Sequence, residues 1–171
     1  IGKAKLNLVH LYGRKILGGK LNIRWGQDIL DYNPPNFLTE IESDSTETTW
    51  YSNLPDDFTV NGHPVSGSFG ILAGAEDIPH AGITLIWRNR VIEGGHRSGW
   101  KPEEIYGISP SDLRWQRVWG EIHLNCLEPN QQKKGFIWQE FSREDLVDAL
   151  QPIMMPHARY AGEMRRRETN K

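Results

Sequence analysis

The chain of 171 residues has little cysteine and no long apolar run, and each shortage excludes a class of protein. Its single cysteine, Cys126, can form neither a disulfide within one chain nor a metal site made of several thiolates. No apolar run approaches the roughly 18 residues that cross a bilayer, and residues 1–15 lack the apolar stretch of a signal peptide. We therefore expect a cytoplasmic protein with no membrane partner.

The composition is typical of one globular domain. Hydrophobic residues make up 37% of the chain and charged residues 25%, which disfavours disordered, collagen-like and coiled-coil classes. The sequence has no initiator methionine and opens directly in a helical pattern. We therefore expect residues 1–171 to be a single domain cut from a longer chain.

Charge is unevenly distributed behind a formal net charge of −2. Residues 1–24 carry six Lys or Arg and no acid, whereas residues 25–87 carry ten Asp or Glu and no base. The acidic block disfavours a DNA-facing role for the middle of the chain. Any DNA contact is expected in the basic start, between residues 97 and 119, or at Arg165, Arg166 and Arg167.

Hydrophobic periodicity predicts an α+β layer of one sheet and helices. Apolar residues from Leu6 to Leu17 recur as on one face of a helix, and a hairpin follows with Gly26-Gln27 at its turn. Further strands are predicted at 65–72, at 82–87, after an Arg88-Asn89 turn, and at 116–125. Residues 40–57 are polar and acidic, which is typical of a long surface loop.

The clearest predicted helix spans residues 143–160. Ser142 can cap it, and Asp145 stands three residues later, where a capping box has its acidic partner. Pro152 and Pro156 are expected to kink or end this helix, because proline lacks the amide that an interior position donates. A basic tail, residues 161–171, is expected to follow it.

No pattern indicates a metal site or an activated nucleophile. The six histidines are scattered, with no pair at the i, i+4 spacing of a metal-binding helix. Cys126 and His123 are predicted to face opposite sides of a strand, which favours a buried thiol. The acid pairs Asp56-Asp57, Glu76-Asp77 and Glu103-Glu104 are interpreted as solvated loop residues. A hydrolase that uses one of them is the weakest functional hypothesis.

Basic and aromatic side chains alternate between residues 97 and 119, and such a pattern can form a stacking surface for nucleic acid. The candidates in this basic–aromatic cluster are Arg97, Trp100, Lys101, Arg114 and Arg117. Trp115 and Trp119 also lie there, near the start of a predicted strand. Packing in the core or at a sheet edge is the alternative for their rings.

The most specific segment is LNCLEPNQQKKGFIWQEFSREDL. A strand ends at Asn125, a polar turn follows, and Phe136 and Trp138 return the chain to the core. The turn presents Gln131, Gln132, Lys133 and Lys134. Two lysines raised on a loop between rigid elements suit the delivery of a positive charge to a phosphate, and an ordinary solvated loop is the alternative.

Three stretches resemble the middle, transducer domain of GHKL ATPases, the group that includes DNA gyrase B, MutL, the large heat-shock chaperones and histidine kinases. They are LVHLYGRKILGGKLNIRWGQDILDYNPP, GITLIWRNRVIEGG and GEIHLNCLEPNQQKKGFIW, in the family's order and closest to its MORC-like branch. The resemblance implies a ribosomal-protein-S-five-like α+β fold, with a left-handed β-α-β unit and helices on one face of the sheet.

In that family a lysine after the Leu-Glu-Pro stretch reaches the γ-phosphate of ATP bound in the preceding ATPase domain. The resemblance implies that Lys133 is this lysine, with Lys134 as the alternative and Gln132 where the family usually has Asn. ATP and Mg²⁺ would be held by an N-terminal ATPase domain, whose Asn-bearing helix, Asp-x-Gly-x-Gly turn and Gly-rich lid are absent from these residues. Residues 1–171 alone are expected neither to hold ATP tightly nor to hydrolyse it.

The first functional hypothesis is therefore a transducer domain that couples ATP binding to conformational change, with a homodimer and DNA as expected partners in DNA repair or restriction-modification. The alternative is a stand-alone nucleic-acid-binding module, such as the specificity domain of a restriction enzyme. It would use the basic–aromatic cluster, and its binding would weaken with salt.

Overall fold

The structure is a computed structural model that describes residues 2–169, with side chains as far as Met164. Its elements in chain order are α1 (Gly2–Leu17), β1 (Ile23–Trp25), β2 (Asp28–Leu30), β3 (Thr39–Ile41), β4 (Glu47–Thr49), β5 (Tyr51–Asn53), β6 (Thr59–Val60), β7 (His63–Pro64), β8 (Ser66–Ile71), a 3-10 helix (Ala75–His80), β9 (Gly82–Trp87), β10 (Arg90–Glu93), α2 (Glu103–Tyr106), α3 (Leu113–Arg117), β11 (Val118–His123), β12 (Glu128–Pro129), β13 (Phe136–Ile137) and α4 (Arg143–Thr169). The predicted α+β class is confirmed.

Within residues 2–169, the main sheet has five strands in the order β10, β9, β11, β8 and β5. The pair of β9 and β11 is parallel, and the other neighbouring pairs are antiparallel. Trp119 in β11 is paired with Gly70 of β8 on one side and with Gly82 of β9 on the other. β11 is therefore the central strand.

One face of the sheet carries the apolar core. Val118 and Ile122 of β11 point to this face, because side chains alternate along a strand, and they join a buried cluster with residues of β8, β9, α2 and α4. Gly120 lies between them, beside Met154 of α4. The helices α2, α3 and α4 pack against one another over this face.

The opposite face receives α1, which packs along β10. Trp119, Glu121 and His123 of β11 point this way, and Arg14 of α1 forms an ion pair with Glu121. The expectation of helices on one face therefore holds for α2, α3 and α4 and fails for α1. Gly13 is the one buried residue of α1, and its Cα faces the Tyr32 ring so closely that a methyl group there would clash.

α4 begins as the sequence predicts but does not end as predicted. The Ser142 amide donates to the Asp145 carboxylate at 2.8 Å, and the Asp145 amide donates to the Ser142 hydroxyl at 3.0 Å, which is a capping box. The helix then passes through Pro152 and Pro156 and into the predicted tail, as far as Thr169.

Packing explains this continuation. Each large apolar side chain that α4 buries stabilises the protein by about 1.5–3 kcal/mol, which offsets the roughly 3 kcal/mol that an interior proline costs. Both prolines lie on the exposed side of the helix, where water can satisfy the carbonyl groups that lose a partner. Among the side chains of α4 as far as Met164, the buried ones are Leu146, Val147, Leu150, Met154, Ala158 and Ala161.

The prediction of a long surface loop at residues 40–57 is wrong. β3 pairs with β4, and β5 extends the main sheet at the edge of β8. Trp50 anchors the segment, because its ring stacks on Tyr160 of α4 with centroids 3.9 Å apart and its indole N–H donates to Glu40 at 3.0 Å. The polar composition reflects short strands with one exposed face.

Two predicted hairpin turns are confirmed. Trp25 pairs with Asp28 across Gly26-Gln27, and Gly26 has a φ of +65°. Trp87 pairs with Arg90 across Arg88-Asn89, both of which have positive φ, as a turn that matches the twist of the strands requires.

Candidate functional site

The lysine loop, residues 130–135, connects β12 to β13 and is closed by Asn130. The Asn130 amide donates to the Gly135 carbonyl at 2.8 Å, and the Asn130 carbonyl accepts from the Lys133 amide at 2.8 Å. The Asn130 side-chain oxygen accepts from the Lys134 amide at 3.0 Å. Lys133 has a φ of +52°, a left-handed conformation that the surrounding hydrogen bonds hold. The loop is therefore an internally bonded turn.

The side chains of this turn face solvent. Gln132, Lys133 and Lys134 are all exposed. Within the part of the chain that the structure describes, neither lysine ammonium forms an ion pair. Two positive charges on a fixed turn can therefore meet an anion that comes from outside the domain.

The loop is attached to the sheet through a carboxylate of β10. The Phe136 amide, directly after the loop, donates to Glu93 Oε1 at 3.2 Å. The other oxygen of the same carboxylate, Oε2, accepts from the Arg143 guanidinium at 2.6 Å. The sequence does not predict this attachment, because Glu93 is 43 residues from Phe136 and 50 residues from Arg143 along the chain.

The basic–aromatic cluster is engaged in contacts within the domain. Arg114 donates to the Asp112 carboxylate at 2.7 and 3.0 Å, and this hydrogen bond lowers the pKa of Asp112. The Lys101 ammonium lies 5.1 Å from the centroid of the Trp115 ring, and burial lowers its pKa. Arg117 Nη1 is 3.4 Å from the Leu72 carbonyl.

The other members of the cluster lie elsewhere. Trp100 is half-buried. Its carbonyl accepts a hydrogen bond from the Ile83 amide of β9 at 2.7 Å, and its amide donates to the Ile83 carbonyl at 2.8 Å. Arg97 is exposed and its amide donates to the Pro79 carbonyl at 2.7 Å. The side chains of Arg165, Arg166 and Arg167 lie outside the described residues.

Three histidines that are scattered in the sequence meet between α1 and the sheet. The rings of His10 and His96 stack with centroids 4.1 Å apart. The His80 centroid is 5.5 Å from that of His10 and 5.4 Å from that of His96. They line a cavity of about 30 Å³, here called the histidine pocket, which has room for about one or two water molecules. Its other polar walls are Arg14, Tyr32, Thr84 and Glu121.

The environment keeps these rings neutral. Burial, followed by the charges that His96 and His80 would carry, lowers the pKa of His10 to about 4. Burial and His96 also lower the pKa of His80 against an opposing effect of Asp77, and burial with Arg97 lowers that of His96. All three imidazoles are therefore uncharged at neutral pH.

A buried carboxylate forms the floor of the histidine pocket. Burial alone would raise the pKa of Glu121, but the contact from His123 at 3.3 Å and the ion pair with Arg14 lower it below its usual range. Glu121 is therefore an anion matched by a cation from α1, and this pair holds α1 to the central strand.

Glycines position the loop that brings His96 into this pocket. His96 lies in the loop of residues 94–99, which folds back across the start of β9. A methyl group on Gly82 would lie 2.6 Å from the Gly99 backbone, so neither position tolerates a side chain. The positive φ values of Gly82, Gly94 and Gly95 bring the loop into this position.

The structure also shows the surroundings of two other candidates from the sequence, Asp77 and Cys126. The interpretation of Asp77 as a solvated loop residue is wrong, because Asp77 is buried within the 3-10 helix and one of its oxygens accepts from the Asn36 amide at 3.0 Å. Cys126 is half-buried, not fully buried as predicted, and its burial raises the pKa of the thiol, which makes it a weaker nucleophile at neutral pH. Among the described residues, no three His, Cys, Asp or Glu side chains could together hold a metal ion. The helices in that range are too short or too polar to span a membrane.

Two surfaces thus stand out, the lysine loop at one end of the β10 edge and the histidine pocket under α1. The first has uncompensated charge exposed to solvent, and the second has its charges paired within the domain. Family models and curated proteins were both searched with this sequence, and neither comparison returned a match.

Proposed function

We propose that this chain is the transducer domain of a GHKL-type ATPase, in which Lys133 contacts the γ-phosphate of ATP held by another domain. The observation that carries the proposal is the lysine loop, an internally bonded turn with two exposed ammonium groups. The ribosomal-protein-S-five-like topology belongs to the same proposal. Support for it comes from the parallel pair of β9 and β11, whose connection contains α2 and α3.

The loop fits one end of a nucleotide. Lys133 and Lys134 can give charge-assisted hydrogen bonds to a terminal phosphate, and the N-terminal ATPase domain would hold the rest of the ATP with its Mg²⁺. Bound ATP supplies a γ-phosphate that ADP lacks. A lysine that touches only this group gains a contact with ATP and loses it with ADP, so the orientation of the domain can follow the nucleotide state.

The parent protein would then close or form a homodimer when ATP binds, with DNA as its client in the cytoplasm. The basic start supports a DNA contact, because Lys3, Lys20 and Arg24 are exposed. The alternative, a stand-alone nucleic-acid-binding module, has less support because Lys101, Arg114 and Arg117 are each engaged within the domain.

A Lys133→Ala substitution in the full-length protein tests the proposal. A lost charge-assisted hydrogen bond corresponds to a change of about tenfold or more, so the ATP concentration for half-maximal closure should rise by at least that factor. Closure can be followed by energy transfer between dyes on the two domains.

Two matched variants sharpen this experiment. Lys134→Ala removes the neighbouring charge, and Gln132→Ala leaves both charges in place. We expect a small effect from the first and none from the second. If closure and ATP turnover stay at wild-type values in Lys133→Ala, Lys133 does not sense phosphate and the proposal fails.

A further inference from the structure

We infer that Glu93 is a positioning residue for Lys133, acting with Arg143 to hold the lysine loop at the edge of the sheet and to join its movement to β10 and α4. The inference rests on the proposed function, since it explains how a loop that senses phosphate passes its position to the rest of the domain. Glu93 itself touches no nucleotide in this scheme.

The Glu93 carboxylate connects three elements with its two oxygens. One oxygen accepts from the Phe136 amide at the start of β13, and the other accepts from Arg143, the first residue of α4. The Glu93 side chain is 17% exposed, so solvent competes weakly for these bonds. A displacement of the loop therefore pulls on β10 and on the N-terminus of α4 together.

Arg143 is held from both sides. Its guanidinium lies 4.9 Å from the centroid of the Trp100 ring and 5.0 Å from that of the Trp138 ring. These cation–π contacts restrict the side chain to a position where it meets Glu93. The pair is thus preorganised and does not depend on two freely rotating side chains.

The backbone of the lysine loop lies directly against this pair. A methyl group on Gly135 would come within 3.4 Å of Glu93 Oε1 and within 3.3 Å of the Asn130 side-chain nitrogen. Asn130 is the residue that closes the loop internally. The Asn130 hydrogen bonds that close the loop and the Glu93 carboxylate that attaches it to the sheet therefore both lie next to Gly135. Together they fix the backbone of Lys133.

An irregularity in β10 places the Glu93 side chain beside the lysine loop. The register of β10 with β9 shifts between Val91 and Glu93, which is a bulge, and a bulge redirects the side chains that follow it. At the other end of β10, the Arg90 guanidinium lies 5.6 Å from the centroid of the Tyr12 ring in α1. One short strand thus joins the lysine loop to α1.

The test uses Glu93→Gln in the full-length protein, with two measurements. This substitution keeps the size of the side chain but removes the negative charge that Arg143 and the Phe136 amide share. We expect hydrogen exchange of the Phe136 amide and of loop 130–135 to become about tenfold faster. The ATP concentration for half-maximal closure should rise by a similar factor, because the lysine is present but no longer held.

Glu140→Gln is the matched control. Glu140 lies three residues before Arg143 and contacts His63 at 3.2 Å through exposed side chains. Neither measurement should change in this variant. Arg143→Lys is a second probe that preserves the charge and loses the planar fork, so its effect should be smaller and in the same direction as that of Glu93→Gln.

The outcomes separate the two proposals. If Glu93→Gln leaves loop exchange or closure at the wild-type value while Lys133→Ala raises the ATP concentration for half-maximal closure, the positioning role is wrong and the phosphate-sensing role stands. If Lys133→Ala leaves closure unchanged, both proposals fail. Faster exchange and weaker closure in Glu93→Gln, with Glu140→Gln unaffected, is the result that the structure supports.

Discussion

The two faces of the main sheet are held by different kinds of interaction. Against α4, the sheet buries a continuous apolar cluster, and α4 contributes Leu146, Leu150 and Met154 with no exposed surface. Against α1, the contacts are an ion pair between Arg14 and Glu121, three neutral histidines and aromatic edges. No large side chain of α1 is fully buried within the described residues.

The two kinds of contact contribute differently to the free energy of unfolding and to local rearrangement. Apolar burial stabilises in proportion to area and needs no defined partner atoms, whereas a buried ion pair depends on geometry and roughly balances its own desolvation. We therefore expect the α4 face to determine the free energy of unfolding. The α1 face is suited to local rearrangement, because its contacts can be broken without exposing a large apolar surface.

The largest expected effect is on the α4 face. Leu150→Ala removes a side chain that has no exposed surface and should lower the free energy of unfolding by about 2–5 kcal/mol. Leu6→Ala in α1, where the side chain is 43% exposed, should change it by less than about 0.5 kcal/mol. Urea unfolding followed by tryptophan fluorescence measures both. Equal losses in the two variants would remove the distinction between the faces.

A smaller effect is expected when the ion pair of the α1 face is broken. Arg14→Met leaves Glu121 buried with the His123 imidazole as its remaining polar contact, which should cost about 2 kcal/mol. The double variant Arg14→Met, Glu121→Met should recover much of that loss, since no unpaired charge remains. Lys5→Met, which breaks the exposed pair with Asp28, should have no measurable effect on urea unfolding. A loss in Lys5→Met as large as that in Arg14→Met would contradict this account.

The smallest expected effect comes from one histidine of the pocket. Because the pKa of His10 is lower in the folded protein than in the unfolded chain, the unfolded chain binds a proton more readily as the pH falls from about 6.5 toward 4. The contribution of His10 to the free energy of unfolding is therefore fully present above that pH window and is lost as the pH falls through it. In His10→Gln the decline between pH 7 and pH 5 should be shallower than in the wild type, as measured by urea unfolding at each pH. An identical slope in both proteins would show that His10 does not contribute.

Features that depend on neighbouring residues are predictable from this sequence. The turn at Gly26-Gln27 needs one positive φ, and the cap of α4 needs only Ser142 and Asp145, three positions apart. The polar turn that contains Lys133 is of the same kind, because Asn130 closes it locally. Each of these interactions lies within one short segment.

Features that depend on distant residues are not predictable in this way. Trp50, between β4 and β5, stacks on Tyr160 of α4, a residue that is distant in the sequence. The histidine pocket takes one ring each from α1, the 3-10 helix and the loop of residues 94–99, so no spacing in the sequence reveals it. The attachment of the lysine loop through Glu93 has the same origin.

The central position of β11 has a consequence for how the chain assembles. β11 is the last strand of the main sheet in chain order, and both of its neighbours, β8 and β9, are made much earlier. Until β11 arrives during synthesis, these two strands have an unsatisfied edge each, and edges of that kind recruit other chains. The parallel pairing with β9 also joins residues that are distant in the sequence, which slows folding. A protein truncated before residue 118 would therefore be expected to aggregate, whereas one truncated after α4 has begun would retain the whole sheet.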